Sequence, residues 1–134
     1  MQCWPPRRGI VDFGCGYGRI VKQLTDLGFE NVCGFDTSKE LISRGISENN
    51  LSLYHIDNPT ELKLEDNSID LIILFAVLTC IPSNEGQNSL ISLLLSKLKK
   101  GGTLLVMIPN MTYYIKFYKL IVDKKNLSIH NLKC

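Results

Sequence analysis

Asp12 stands two positions ahead of Gly14-Cys15-Gly16-Tyr17-Gly18, a run in which every second residue lacks a side chain. Glycines at that spacing let the chain turn sharply and let a ligand lie against bare backbone. The carboxylate sets which ligand end is welcome. It would repel a pyrophosphate laid over the turn, whereas it can accept hydrogen bonds from an ammonium group. A dinucleotide fingerprint, G-x-G-x-x-G, needs Gly or Ala at position 19 for close helix packing, and Arg19 stands there. The alternative role for Asp12 is to cap the next helical turn. A second carboxylate, Asp36, follows an apolar run and can accept hydrogen bonds from two neighbouring hydroxyls, or else cap the helix after it. A third, Asp57, opens Asp57-Asn58-Pro59, which is equally a turn signal.

The remaining reactive side chains form no catalytic or metal-binding pattern. Cys3, Cys15, Cys33, Cys80 and Cys134 are odd in number and include no C-x-x-C pair, and no histidine lies near them at zinc-ligand spacing. They read as reduced thiols, with Cys80 as buried packing. The histidines are His55 and His130, neither with an acid or cysteine at a spacing that suggests a triad, and His55 reads as a strand residue. Tyr17 either covers a ligand or packs on its own helix. Arg19 is either a solvated first-turn residue or a ligand for a carboxylate.

These residues need elements to position them. Residues 9–13 (GIVDF) read as a strand, and Ile20, Val21, Leu24 and Leu27 then recur at helical spacing up to Gly28. Residues 31–35 give a second strand, with Thr37 or Ser38 as N-cap of a helix carrying Leu41, Ile42 and Ile46. A third strand is expected at 51–56. A fourth, at 69–75, is apolar on both faces, as a buried parallel strand is. Ser83 or Asn84 caps a longer helix with Leu90, Ile91, Leu94, Leu95 and Leu98 on its core face and Lys97, Lys99 and Lys100 in its last turn. Gly101-Gly102 ends it before a fifth strand at 103–108. This alternation predicts an α/β, Rossmann-like, doubly wound and mainly parallel sheet of about five strands with helices on both faces. In such sheets ligands sit beyond the carboxyl ends of the strands, where the strand order reverses.

With these features in hand, the sequence resembles the class I S-adenosylmethionine-dependent methyltransferases, whose first motif is D/E-x-G-x-G-x-G at the end of the first strand. VDFGCGYGR matches it, and the resemblance continues through FDTS, EDNSIDLI and LKKGGTLLVMIP, about residues 9–108. It implies S-adenosyl-L-methionine as cofactor and S-adenosyl-L-homocysteine as product. It further implies that Phe13, Gly14, Cys15 and Gly16 form the turn under the cofactor, that Asp12 lies near its methionine amino group, and that Asp36, with Thr37 beside it, holds the ribose hydroxyls. By the same resemblance Asp57 or Asn58 contacts adenine, while Phe75 and Ala76 line the methyl-bearing end. Family members that methylate amide or exocyclic nitrogens carry N-P-P-Y or a near relative after the fourth strand. FAVLTCIP here disfavours nucleobase and glutamine acceptors and turns the expectation toward a small molecule. No general base is evident, so the rival expectation is a non-catalytic cofactor-binding subunit, and a nicotinamide oxidoreductase is a more distant one.

With 134 residues, 45% hydrophobic and 21% charged, the chain is expected to fold as one domain, 1–134, with a core at 9–109. The mean hydropathy is +0.06. The longest apolar stretch is too short for a membrane span, and the N-terminus does not read as a signal peptide, so the expected compartment is the cytoplasm. The net charge of +2 belongs to the tail: residues 111–134 hold five lysines against one acid. Nucleic acid is a weakly supported partner on that account. The stripe Met111, Tyr114, Ile115, Tyr118, Ile121 and Val122 predicts a basic, aromatic helix. The resemblance implies two further strands, the last inserted antiparallel beside the fifth. The remaining length predicts at most one short strand, near 127–129, and hence a sheet without that usual hairpin. An exposed fifth strand is a liability. Its edge is expected to be covered by the tail, by a second copy or by another chain.

Overall fold

β1 (Ile10–Phe13) is buried at all four residues, because it is sandwiched edge to edge between two other strands and covered on both faces. The computed structural model describes residues 9–109, 115–123 and 126–132. β1 pairs in parallel with β2 (Val32–Asp36) on one side and with β4 (Ile69–Phe75) on the other. β3 (Leu53–His55) adds beyond β2, and β5 (Leu98–Pro109) beyond β4, both parallel. The order is β3-β2-β1-β4-β5-β6-β7, so the direction of winding reverses between β1 and β4.

Alternation along the strands divides the core into two layers. Val11, Phe13, Cys33, Phe35, Ile72, Leu74, Leu104 and Val106 pack on one face, against Leu90 and Leu94 of α3 (Asn84–Lys97). Ile10, Val32, Leu53 and Ile73 pack on the other, against Val21 of α1 (Arg19–Asp26) and Ile42 of α2 (Lys39–Asn49). The expected doubly wound arrangement, with helices on both faces, is therefore present. Its caps follow local chemistry. Ser38 accepts from the N–H of Leu41 at the start of α2, and Ser83 accepts from the N–H of Gly86 at the start of α3.

Two boundaries differ from expectation. α3 ends at Lys97, and β5 begins at Leu98 rather than at Thr103. Leu98 pairs with Ile69 and Thr103 with Leu71, so the intervening residues bulge out of the ladder. Lys97 bonds Asp66 at 2.9 Å and Lys99 bonds Asp70 at 3.2 Å, tying this bulged start to the approach of β4. Lys99 and Lys100 thus belong to the strand and not to the helix end.

The second difference is the tail. The segment expected as a helix is β6 (Ile115–Asp123), antiparallel to β5, and β7 (Asn126–Leu132) is antiparallel to β6. Two strands fit where at most one was expected. The apolar residues of IKFYKLIVD are mostly β-branched or aromatic, and the open amides and carbonyls of β5 satisfy the segment's backbone as it satisfies theirs. The expected covering of the β5 edge is achieved by the tail, not by a second chain. β6 lies directly on β5 with β7 outside it, so the arrangement with the last strand inserted next to the fifth does not occur.

Gly45 shows how tightly α2 is seated. A Cβ there would lie 2.2 Å from the Tyr17 carbonyl oxygen and 2.4 Å from Leu53 Cδ1. In an exposed helix interior, Gly→Ala would add about 1 kcal/mol of stability. Here overpacking reverses the sign, and Gly45→Ala is expected to cost about 1–3 kcal/mol, read from the urea unfolding midpoint at constant m-value.

Candidate functional site

The carboxyl ends of β1, β2 and β4 meet at the reversal of strand order, and the glycine turn lies across them. The N–H groups of Gly14 and Cys15 both donate to the carbonyl of Phe35, at 2.7 and 3.0 Å, which holds the turn on the end of β2. The turn can come this close because position 34 is glycine. A Cβ on Gly34 would lie 2.6 Å from Cys15 Cβ. Gly14 itself has φ +78°, and a Cβ there would strike Val77 Cγ2 at 2.4 Å, so the turn also packs against the segment following β4.

Asp36 ends β2 and fastens two loops. Its Oδ2 accepts from Gly16 N–H at 2.8 Å and its Oδ1 from Ser38 N–H at 2.8 Å. An ionised carboxylate has about four lone-pair sites, so acceptor capacity remains on both oxygens. Ser38, not Asp36, caps α2. Thr37 is exposed beside it.

Asp12 is 1% exposed, and its Oδ1 has no hydrogen-bond partner. Burial, then the neighbouring charge of Asp36, pushes its pKa up to about 7, while Arg19 opposes the rise. Asp12 is a residue of β1 and caps no helix; the N-cap of α1 is Gly18. Burial, reinforced by Asp12, also holds the Cys15 and Cys33 thiols protonated, Cys33 being pushed up to about 12. Neither buried thiol is a nucleophile at neutral pH.

The other expected residues spread along the same edge. The Phe13 side chain is in the core, leaving its backbone to the turn. Phe75 ends β4, and the guanidinium of Arg19 sits over its ring, 5.5 Å from the centroid. Asp57 is exposed after β3; its N–H donates to Glu61, and its carboxylate lies 3.6 Å from His55 Nε2. Asn58 caps a 3-10 turn at Pro59–Glu61, accepting from Thr60 N–H and donating to Glu61. Both therefore have turn roles, and the Asp57 side chain is largely exposed. Tyr17 is 37% exposed and stacks with Arg44 of α2 rather than on its own helix. Cys80, expected to be buried, is exposed on a 3-10 turn, Leu78–Cys80, because β4 has already ended and the chain runs along the surface there.

Ala76 was placed by sequence only as a lining residue, yet it adopts φ +58°, a conformation costing a non-glycine residue roughly 1–3 kcal/mol. Its N–H donates to Met107 and its carbonyl accepts from Thr79 Oγ1, both at 2.8 Å. Val77 and Gly34 were not singled out at all. An isolated glycine inside a strand is the signal that would have pointed to Gly34, since it marks a close backbone approach.

A profile of the methyltransferase domain family matches residues 11–106. The chain belongs to that family. Its fold is shared with a SAM-dependent methyltransferase from Archaeoglobus fulgidus, at 25% identity and a TM-score of 0.68 over 78% of this chain and 46% of that one. A SAM-dependent methyltransferase from Methanosarcina mazei superposes with a TM-score of 0.69 at 24% identity, covering 77% and 53%. Phosphoethanolamine N-methyltransferase 1 from Haemonchus contortus, solved with phosphoethanolamine and S-adenosylhomocysteine, gives a TM-score of 0.64 at 19% identity over 78% and 23%. The chain thus spans about half the length of the first two relatives or less than a quarter of the third. No curated protein matches it. Among the described residues, no helix is long and apolar enough to cross a membrane, and no cluster of side chains could hold a metal ion.

The buried carboxylate has a measurable signature in the unliganded protein. Unfolded, Asp12 ionises near 3.8, whereas folded it keeps its proton to about 7. Between those values the native state binds more protons than the unfolded state, so this group's contribution to stability falls as pH rises and levels off above 7. The slope is at most about 1.4 kcal/mol per pH unit. Urea unfolding of wild type and Asp12→Asn between pH 4 and 8 is expected to show that loss only in the wild type.

Proposed function

We propose that this chain binds S-adenosyl-L-methionine over the Gly14–Gly18 turn and directs its methyl group to a small-molecule acceptor. The observation that carries the reading is the unpartnered Oδ1 of Asp12, buried under a glycine turn in a family of methyltransferase domains. Burial lets this carboxyl group keep its proton in the free protein, and a cationic ligand group placed beside Oδ1 would make its ionised form favourable. The α-ammonium of a methionyl group has the charge and the donors to do so. Asp36, already aligned by Gly16 and Ser38, offers its remaining lone pairs to two ribose hydroxyls. The backbone of Phe13, Gly14, Cys15 and Gly16 supports the cofactor, Asp57 or Asn58 stands at the adenine end with Thr37 near the ribose, and Phe75 stands at the methyl end.

The sulfonium of the cofactor supplies an electrophilic methyl group, and the protein's task is alignment for in-line displacement. The segment after β4 carries Thr79 and Cys80 but no histidine or carboxylate between Phe75 and Ile81. That suits an acceptor whose nucleophile needs no proton removed. The same observation favours a second reading, a cofactor-binding subunit without turnover of its own. Free, buried Cys15 and Cys33 support a reducing, cytoplasmic setting, and the core at 9–109 supports one domain.

S-adenosyl-L-homocysteine at 100 times its dissociation constant is expected to add about 2.7 kcal/mol of stability, a thermal shift of several degrees. Asp36→Asn is expected to weaken its binding by about 10- to 100-fold while leaving the melting profile of the free protein cooperative. Stabilisation by NAD instead, or by neither ligand, would reject the cofactor reading. Cofactor binding without methyl transfer to any of a panel of amine, thiol and hydroxyl acceptors would select the second reading.

A further inference from the structure

The chain leaves β4 through the left-handed Ala76 and runs through residues 77–81, between the glycine turn and α3, before the helix begins. The hydrogen bonds inside this segment are short in range. Cys80 N–H donates to the Val77 carbonyl, Ile81 N–H to the Leu78 carbonyl and Thr79 Oγ1 to the Ala76 carbonyl. Bonds of that range shape a turn without tying it to the rest of the molecule. At one end Val77 presses on Gly14, and Leu78 and Ile81 lean on the core as partly buried side chains. From α3, one polar side chain reaches across to the segment. Gln87, half-buried, donates from its Nε2 to the carbonyls of Leu78 and Ile81, both at 3.0 Å. Both partners are acceptors, so only the NH2 end of the amide fits there, and both of its donors are used. The first turn of α3 is seated closely enough for this, since a Cβ on Gly86 would lie 3.0 Å from Ile81 Cγ2.

The segment so held continues directly from Phe75 and Ala76, which stand at the methyl end in the reading above. Resting on that reading, we propose that Gln87 is a positioning residue for methyl transfer: it clasps residues 77–81 to α3 and so fixes the wall along which an acceptor approaches the methyl group. It acts through the backbone of Leu78 and Ile81. The cofactor half of the edge is anchored separately, by the Phe35 carbonyl and by Asp36. Loss of the clasp therefore loosens the acceptor side and spares the cofactor. No covalent bond is made or broken by this residue.

The test compares wild type with Gln87→Met, which keeps length and helix propensity but has no donor, and Gln87→Glu, which keeps the shape and turns an acceptor toward the two carbonyls. Hydrogen exchange, read by mass spectrometry on peptides covering 77–81, reports the wall through the amides of Cys80 and Ile81. Both variants are expected to speed exchange there about 10-fold or more, while exchange in β1 and β2 and the dissociation constant for S-adenosyl-L-homocysteine stay within about threefold of wild type. Initial rates with the acceptors that turn over in the amine, thiol and hydroxyl panel are expected to show the acceptor KM raised about 10-fold and the cofactor KM unchanged. Unchanged wall exchange in both variants, or exchange raised equally throughout β4 and α3, overturns the clasp. Cofactor affinity lost together with the wall, or a KM shift on the cofactor instead of the acceptor, overturns its confinement to the acceptor side. Cofactor binding by wild type with no acceptor turned over overturns the role in transfer. Wild type that binds no S-adenosyl-L-homocysteine removes the cofactor reading and that role together, even where the exchange pattern shows the clasp itself.

Discussion

The carbonyl oxygen of Phe35 accepts from two consecutive amides of the glycine turn, and the geometry of the whole carboxyl edge depends on that contact. It is possible only because the turn can descend to backbone distance from β2, which requires the missing side chain at Gly34 as much as those within the turn. Once the turn is down, Gly16 N–H meets Asp36, Asp36 meets Ser38, and Ser38 starts α2. Gly14 in turn is pressed against Val77, linking the same turn to the chain leaving β4. Three strand ends are thereby registered to one another by a segment of five residues.

That registration brings charges together. Asp12 is placed under the turn by the β-strand alternation that also buries Ile10, and there it faces the field of Asp36 with only Arg19 in opposition. Burial and the Asp36 charge both disfavour the ionised form, and the group responds by keeping its proton up to about pH 7. The strained Ala76 at the end of β4 belongs to the same edge, and its backbone is held on both sides by Met107 and Thr79.

The far side of the sheet obeys a simpler requirement. β5 would expose a ladder of apolar strand to solvent, and β6 and β7 continue the sheet outward as an antiparallel meander. The five parallel strands that carry the site are therefore not at risk of pairing with a second chain along β5.

Local patterns were enough for much of this. Apolar runs bounded by glycine and polar residues located β1, β2 and β4 within a residue, Ser38 and Ser83 were legible as caps, and the G-x-G-x-G run after Asp12 marked the turn that follows β1. These features are legible because they depend on residues near in sequence, through side-chain period, φ preference and capping hydrogen bonds. The tertiary structure decided what depends on distant partners. The segment 115–123 satisfied a helical stripe on paper, but the unsatisfied edge of β5 selected the strand. Cys80 is exposed because β4 ends five residues before it, and Gly34, Gly45 and Val77 matter because of atoms that approach them from elsewhere in the chain. The raised pKa of Asp12 and the placement of Arg19 over Phe75 likewise exist only after folding, since burial and the meeting of β1 with β4 create them and no spacing in the sequence encodes either.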